Sequence, residues 1–117
     1  MNTHENLTVW NKSIDYVTEL YRITHDFPAS EKYSLVDQMR RSGVSVPSNI
    51  AEGAARGSQK EFKRFLHISL GSAAELQTQL MIARNLNFLS DQEFQVLLKQ
   101  SKDISKMISG LIRSLGV

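Results

Sequence analysis

The segment from Ala51 to Glu61, AEGAARGSQKE, leaves the chain little choice of path. Apart from Gly53, residues 51–56 favour a helix. Gly57 then suits a left-handed C-terminal cap, where a residue without a side chain meets no steric penalty. Ser58 follows, with Glu61 three residues later. That spacing predicts a capping box, in which hydroxyl and carboxylate each satisfy an orphan backbone donor. A chain that ends one helix and starts another within two residues must reverse direction, so the flanking helices are expected side by side and antiparallel.

Upstream of the turn, a helix is predicted from about Glu31 to Arg56. Val36, Met39, Gly43, Val46, Ile50 and Gly53 follow gaps of 3, 4, 3, 4 and 3 on one face. Pro47 interrupts this run. Inside a helix it removes the hydrogen bond to the Gly43 carbonyl, at a cost of about 3 kcal/mol. A break near Ser45 with a restart at Pro47 is one solution. The unbroken apolar spacing favours the other, a single kinked helix. Gly43 costs about 1 kcal/mol against alanine, which calls for a packing reason. Pairing about the turn sets it opposite Gly71-Ser72, where two small sites would let backbones approach.

Downstream, a helix is predicted from about Gln59 to Asn87. Phe62, Phe65, Ser69, Ala73, Leu76, Leu80 and Ala83 form its main stripe. Leu66, Leu70, Ala74, Gln77 and Met81 form a second, beyond what one four-helix core uses, so an identical subunit is expected to cover it. The first helix spans about Thr8 to His25, with Leu7, Trp10, Ile14, Val17, Tyr21 and Thr24 on its face and Val9, Tyr16, Leu20, Ile23 and Phe27 widening it. Phe27-Pro28 ends that element, and Ser30 is a candidate cap for the next. Ser90 or Asp91 opens the last helix, with Glu93 completing a capping box with Ser90. Phe94, Leu97, Ser101, Ile104, Ile108, Leu111 and Leu115 continue the repeat. No stretch alternates as a strand does. The expectation is an all-α protein, one antiparallel up-down-up-down four-helix bundle over residues 1–117.

Several function classes find no support. The 117 residues contain no cysteine, which excludes disulfides and thiolate metal sites and fits a cytoplasmic setting. The start MNTHENLTVW lacks a basic segment followed by an apolar one, so no signal peptide is expected. No apolar run approaches the ~20 residues of a membrane span. A bundle metal site needs Glu-x-x-His pairs, and His4, His25 and His67 lie on different elements without that spacing. No catalytic residue, metal or cofactor is expected: no strained turn presents a nucleophile, and the Gly-x-x-x-x-Gly-Lys-Ser/Thr phosphate loop is missing.

One constellation carries chemistry: Arg40, Arg41, Arg56, Lys60, Lys63 and Arg64. Residues 32–64 hold seven basic and three acidic groups, whereas residues 1–31 hold two and five. Arg56, Lys60, Lys63 and Arg64 bracket the turn, and spacings of 3 and 4 place Lys60 with Lys63 and Arg64 on one face. Clustered cations attract phosphates through Coulomb forces and counterion release. The competing account is a solvated surface partly neutralised by Glu52 or Glu61. Few aromatics interleave with these cations, and Phe62 and Phe65 lie at core spacing. Asn49 and Glu52 sit close to an apolar stripe, where Lys63 opposite or a neighbouring subunit would satisfy them.

At these residues the chain resembles a known family. Ser48-Asn49-Ile50-Ala51-Glu52-Gly53, then Gly57-Ser58, Glu61-Phe62 and Phe65-Leu66, are similar to the four-helix-bundle proteins encoded in intervening sequences of bacterial 23S rRNA genes. Leu7-Thr8-Val9-Trp10, the run from Leu35 to Ser42 and the run from Gly71 to Leu76 support the likeness over nearly the whole chain. The resemblance implies a ring-like homopentamer. It also implies kinship with the accessory variability proteins of diversity-generating retroelements, which have a basic surface and associate with a reverse transcriptase. It brings no catalytic residues. The expected function is therefore non-enzymatic association with nucleic acid, RNA foremost, with a protein-docking adaptor as the rival.

Overall fold

A computed structural model of the chain describes residues 4–117. The first three residues, part of the start examined for a signal peptide, lie outside the described residues. Four α-helices account for most of the chain: α1 (Thr8–Thr24), α2 (Leu35–Ala55), α3 (Gln59–Asn85) and α4 (Asp91–Ser114). Short 3-10 turns at His4–Asn6 and Ala29–Glu31 precede α1 and α2, and there is no strand among the described residues. No helix is long and apolar enough to cross a membrane among the described residues.

The helices form because each can sink one apolar stripe into a shared core. Leu20 of α1, Met39 and Ile50 of α2, Leu66, Leu76 and Leu80 of α3, and Leu97 and Ile108 of α4 are all buried to 1% exposure or less. Each such side chain contributes about 1.5–3 kcal/mol relative to exposure. The predicted stripe of α3 is buried from Phe65 through Ala83, and that of α4 from Phe94 through Ile108.

The buried face of α1 differs from the predicted one. Thr24 of the expected stripe is buried together with the widening residues Val9, Tyr16 and Leu20, and Ser13 joins them, while Ile14 and Tyr21 of that stripe are 39% and 42% exposed. Small hydroxyl residues explain the rotation. Ser13 and Thr24 each donate a 2.7 Å hydrogen bond to the carbonyl four residues back, on Val9 and Leu20. Their polarity is thereby satisfied within the helix, and they can face the core. Tyr16 donates its hydroxyl to the Leu97 carbonyl at 2.9 Å, tying α1 to α4. Burial pushes its pKa well above the usual phenol value, partly offset by a hydrogen bond with Ser101.

α2 begins at Leu35, not at Glu31. The apparent start signal at Ser30-Glu31 is used by the 3-10 turn, and the Ser34 hydroxyl donates to the Glu31 carboxylate at 3.0 Å. From Leu35 the helix is continuous through the buried Pro47 to Ala55, so the alternative of a break near Ser45 is overturned. Beside the proline, Ser69 of α3 donates to the Val46 carbonyl at 2.9 Å.

The α2–α3 contact holds the turn in place, and its small residues are not paired as predicted. Gly71 is exposed, with nothing within 4 Å of where a Cβ would stand. Gly43 instead accommodates α1, because a Cβ there would lie 2.8 Å from Leu20 Cδ2. α2 approaches α3 closely at Gly53, where a Cβ would lie 2.6 Å from Phe65 Cβ. Ser45 and Ser72 share a 2.7 Å hydrogen bond in the same interface. The contacts Ser45–Ser72, Val46–Ser69 and Gly53–Phe65 show numbers falling along α3 as they rise along α2.

The second stripe of α3 is also largely used within the chain. Leu66 is in the core, Leu70 packs against it, and Gln77 donates to Ser101 and Ser105 of α4 at 3.0 and 3.2 Å. Only Ala74 and Met81 of that stripe are exposed. A different line, on α3 and its C-cap, carries exposed apolar surface: Ile68, Ile82 and the capping Leu86 at 41%, 44% and 52%. Gln79 lies on the same line, and its Oε1 is buried with no hydrogen-bond partner among the described residues.

Candidate nucleic-acid interface

The turn between α2 and α3 takes the predicted path. Gly57 has φ +83°, in the left-handed region that a glycine enters without penalty. Ser58 is extended, and its hydroxyl accepts from the Glu61 N–H at 3.1 Å. The capping box is only half made here, in contrast to Ser90–Glu93, where both bonds are present. The Glu61 carboxylate takes the Arg64 guanidinium instead, Nε to Oε2 at 2.9 Å. The guanidinium adds an ion pair to the hydrogen bond, which a backbone N–H cannot.

Two arginines at the turn share an aromatic support. The guanidinium carbons of Arg56 and Arg64 lie 4.9 and 4.5 Å from the Phe65 ring centroid. Arg56 also pairs with Glu52 at 2.7 Å and approaches Glu61 at 3.9 Å. The hydrogen bond from Arg64 holds the Glu61 carboxyl below its usual range, and Glu61 in turn raises Arg64. Lys63 donates to the main-chain oxygen of Val117 at 2.6 Å, and Gly116 N–H donates to Gln59 Oε1, so residues 116–117 lie across the start of α3. Lys60 is exposed and makes no hydrogen bond or salt bridge among the described residues. Arg56 and Arg64 are thus paired with Glu52 and Glu61, Lys63 is held by Val117, and Lys60 projects from the turn without a partner among the described residues.

Arg40 and Arg41 do not join this group. Sixteen residues of one helix separate Arg40 from Arg56, about 24 Å at 1.5 Å per residue. Arg40 is half-buried, donating Nε to Thr24 Oγ1 at 3.0 Å and Nη2 to the Tyr21 carbonyl at 3.2 Å, with its guanidinium 4.3 Å from the Tyr21 ring. It adds a second donor to the Tyr21 carbonyl, which already accepts the His25 N–H, and fastens α1 to α2. Arg41 is exposed and pairs with Asp37 at 3.0 Å. Both line a groove of 620 Å³ with Tyr21, Lys32, Tyr33 and Val44. Lys32 and Tyr33 were missing from the sequence constellation because a helix starting at Glu31 absorbs them. Their signal was Ser34, one residue before the apolar pair Leu35-Val36.

The remaining singled-out residues are structural. Asn49 donates to both the carbonyl and the hydroxyl of Ser45 at 2.8 Å, extending the Ser45–Ser72 link rather than meeting Lys63. Glu52 is exposed and turned to Arg56. No cluster of three or more His, Asp or Glu side chains comes together among the described residues.

Fold and surface define a four-helix, all-α protein with basic surface at two separate places. Within that class, the chain belongs to the 23S rRNA-intervening sequence protein family, which matches residues 5–110. A crystal structure from Bacteroides thetaiotaomicron VPI-5482, of a protein of unknown function from the S23 ribosomal protein family, has the same fold. It superposes with a TM-score of 0.84 at 22% identity, covering 91% of this chain and 96% of that one. Among curated proteins, none matches.

Proposed function

We propose that the chain is a non-catalytic, self-assembling protein that associates with structured RNA through the α2–α3 turn. Membership of the 23S rRNA-intervening sequence family supports an RNA-related role. The carrying observation is the turn itself, where Lys60 and Lys63 add charge that Glu52 and Glu61 do not cancel. Arg56 and Arg64 are held over Phe65, so less side-chain freedom is lost when they meet a phosphate. The helices are read as an antiparallel up-down-up-down bundle, in line with the α2–α3 register and the short α3–α4 connection. Self-assembly is supported by the line of Ile68, Ile82 and Leu86 beside the unpartnered Gln79 oxygen.

The test is reversal of Lys60, Lys63 and Arg64 to Glu in one variant, assayed on structured rRNA fragments. Binding is expected to fall at least about ten-fold, with the helical circular dichroism unchanged. Unchanged affinity would remove the turn from the interface. A protein partner that stays bound after nuclease and high salt would favour the docking-adaptor reading.

A further inference from the structure

The groove between the end of α1 and the start of α2 has a composition that packing does not require. Tyr33 is 86% exposed, so its ring gains little from burial. Lys32 stands 5.4 Å from that ring centroid, and Arg40 is fixed over Tyr21 by two hydrogen bonds and the ring contact. Three cations, Lys32, Arg40 and Arg41, face one carboxylate, Asp37. The volume of 620 Å³ lies within the range of small-molecule sites.

We infer that this groove binds unpaired nucleotides of RNA, with a base stacked on Tyr33 and its phosphates on Lys32 and Arg41. Aromatic rings beside cations accept any base by its π-face, while the cations follow the backbone. A duplex offers no such face, because its bases are stacked inside. An exposed tyrosine therefore selects loops, bulges and ends. The inference rests on the protein's being RNA-associated, but it concerns a different surface from the α2–α3 turn. On this account the turn grips paired RNA through phosphates, and the groove reads an adjacent single strand.

The probe is fluorescein-labelled hexauridine, followed by anisotropy with the full chain at low salt. Wild type is expected to bind it, and Tyr33→Ala to weaken it about ten-fold, the effect of losing one stacked base. Tyr33→Trp should retain binding, and a hexamer abasic at its central positions should bind wild type as weakly as hexauridine binds Tyr33→Ala. The exposed position of Tyr33 leaves the fold of these variants intact, which circular dichroism checks. The triple Glu variant at Lys60, Lys63 and Arg64 should still bind hexauridine. Retention there with loss of duplex binding separates the two surfaces. If charge reversal leaves structured RNA binding unchanged while Tyr33→Ala weakens hexauridine, the groove stands and the turn falls. No binding of hexauridine by wild type, equal binding by Tyr33→Ala, or equal binding of the abasic hexamer would overturn the inference.

Discussion

Gly53→Ala is predicted to destabilise the protein, although alanine is the better helix former. The added Cβ would stand 2.6 Å from Phe65 Cβ, 3.2 Å from Phe62 Cδ1 and 3.4 Å from Phe62 Cα. Carbon atoms in favourable contact lie about 3.5–4.0 Å apart, so α2 and α3 must separate by about 1 Å. A rotamer change cannot relieve this, since Phe65 Cβ moves only with the backbone. Overpacking of this kind costs about 1–3 kcal/mol, and the gain in helix propensity returns about 1 kcal/mol. The net loss is therefore up to about 2 kcal/mol. Gly71→Ala is the control, because nothing lies within 4 Å of its added Cβ. It should stabilise by about 0.5–1 kcal/mol. For a chain of this length, 1 kcal/mol corresponds to about 4 °C in Tm. Thermal melts should thus show Gly53→Ala below wild type and Gly71→Ala above it. A Gly53→Ala protein that melts above wild type, as Gly71→Ala should, would refute the close approach of the two helices.

Three further expectations follow from particular side chains. Glu61 is held below its ordinary 4.5 by Arg64, so the pair's contribution to stability is complete above that pH and is lost as pH falls through the depressed folded value. Glu61→Gln removes one of the two carboxylates at the turn, and should tighten RNA binding and steepen its salt slope by about 1 if the freed guanidinium takes up a phosphate; an unchanged slope on titration with salt would place Arg64 outside the interface. If the chain self-assembles as proposed, Ile82→Glu with Leu86→Glu should shift it toward smaller species in analytical ultracentrifugation without loss of helix. Unchanged sedimentation would exclude this line of α3 from the subunit contact.

Much of the fold was legible because four stripes repeat with steps of 3 and 4, and because Gly57-Ser58 permits little except a reversal. The errors have a common physical origin. Ser13 bonds back to its own helix, and so packs as a small core residue that a hydropathy pattern counts as polar, whereas Thr24, which does the same, lies on the expected face. Gly43 and Gly71 were matched by distance from the turn, but the direction a glycine faces is set by its neighbours in space. Gly43 meets Leu20 of α1, and Gly53 does the work expected of the pair. The cationic constellation was visible as residue types and was divided by geometry. Arg40 is engaged in fastening α1 to α2, while Lys32 and Tyr33 stand free of α2 because that helix starts at Leu35.

The central claim is that the α2–α3 turn engages the phosphates of structured RNA. It is tested most directly by anisotropy titration of structured rRNA fragments across a salt series. With two to four cations displacing counterions, the slope of log affinity against log salt should be roughly −2 to −4 for one subunit, and the variant with Glu at positions 60, 63 and 64 should lose most of it. Absence of binding at low salt, or a slope near zero in wild type, would contradict the account.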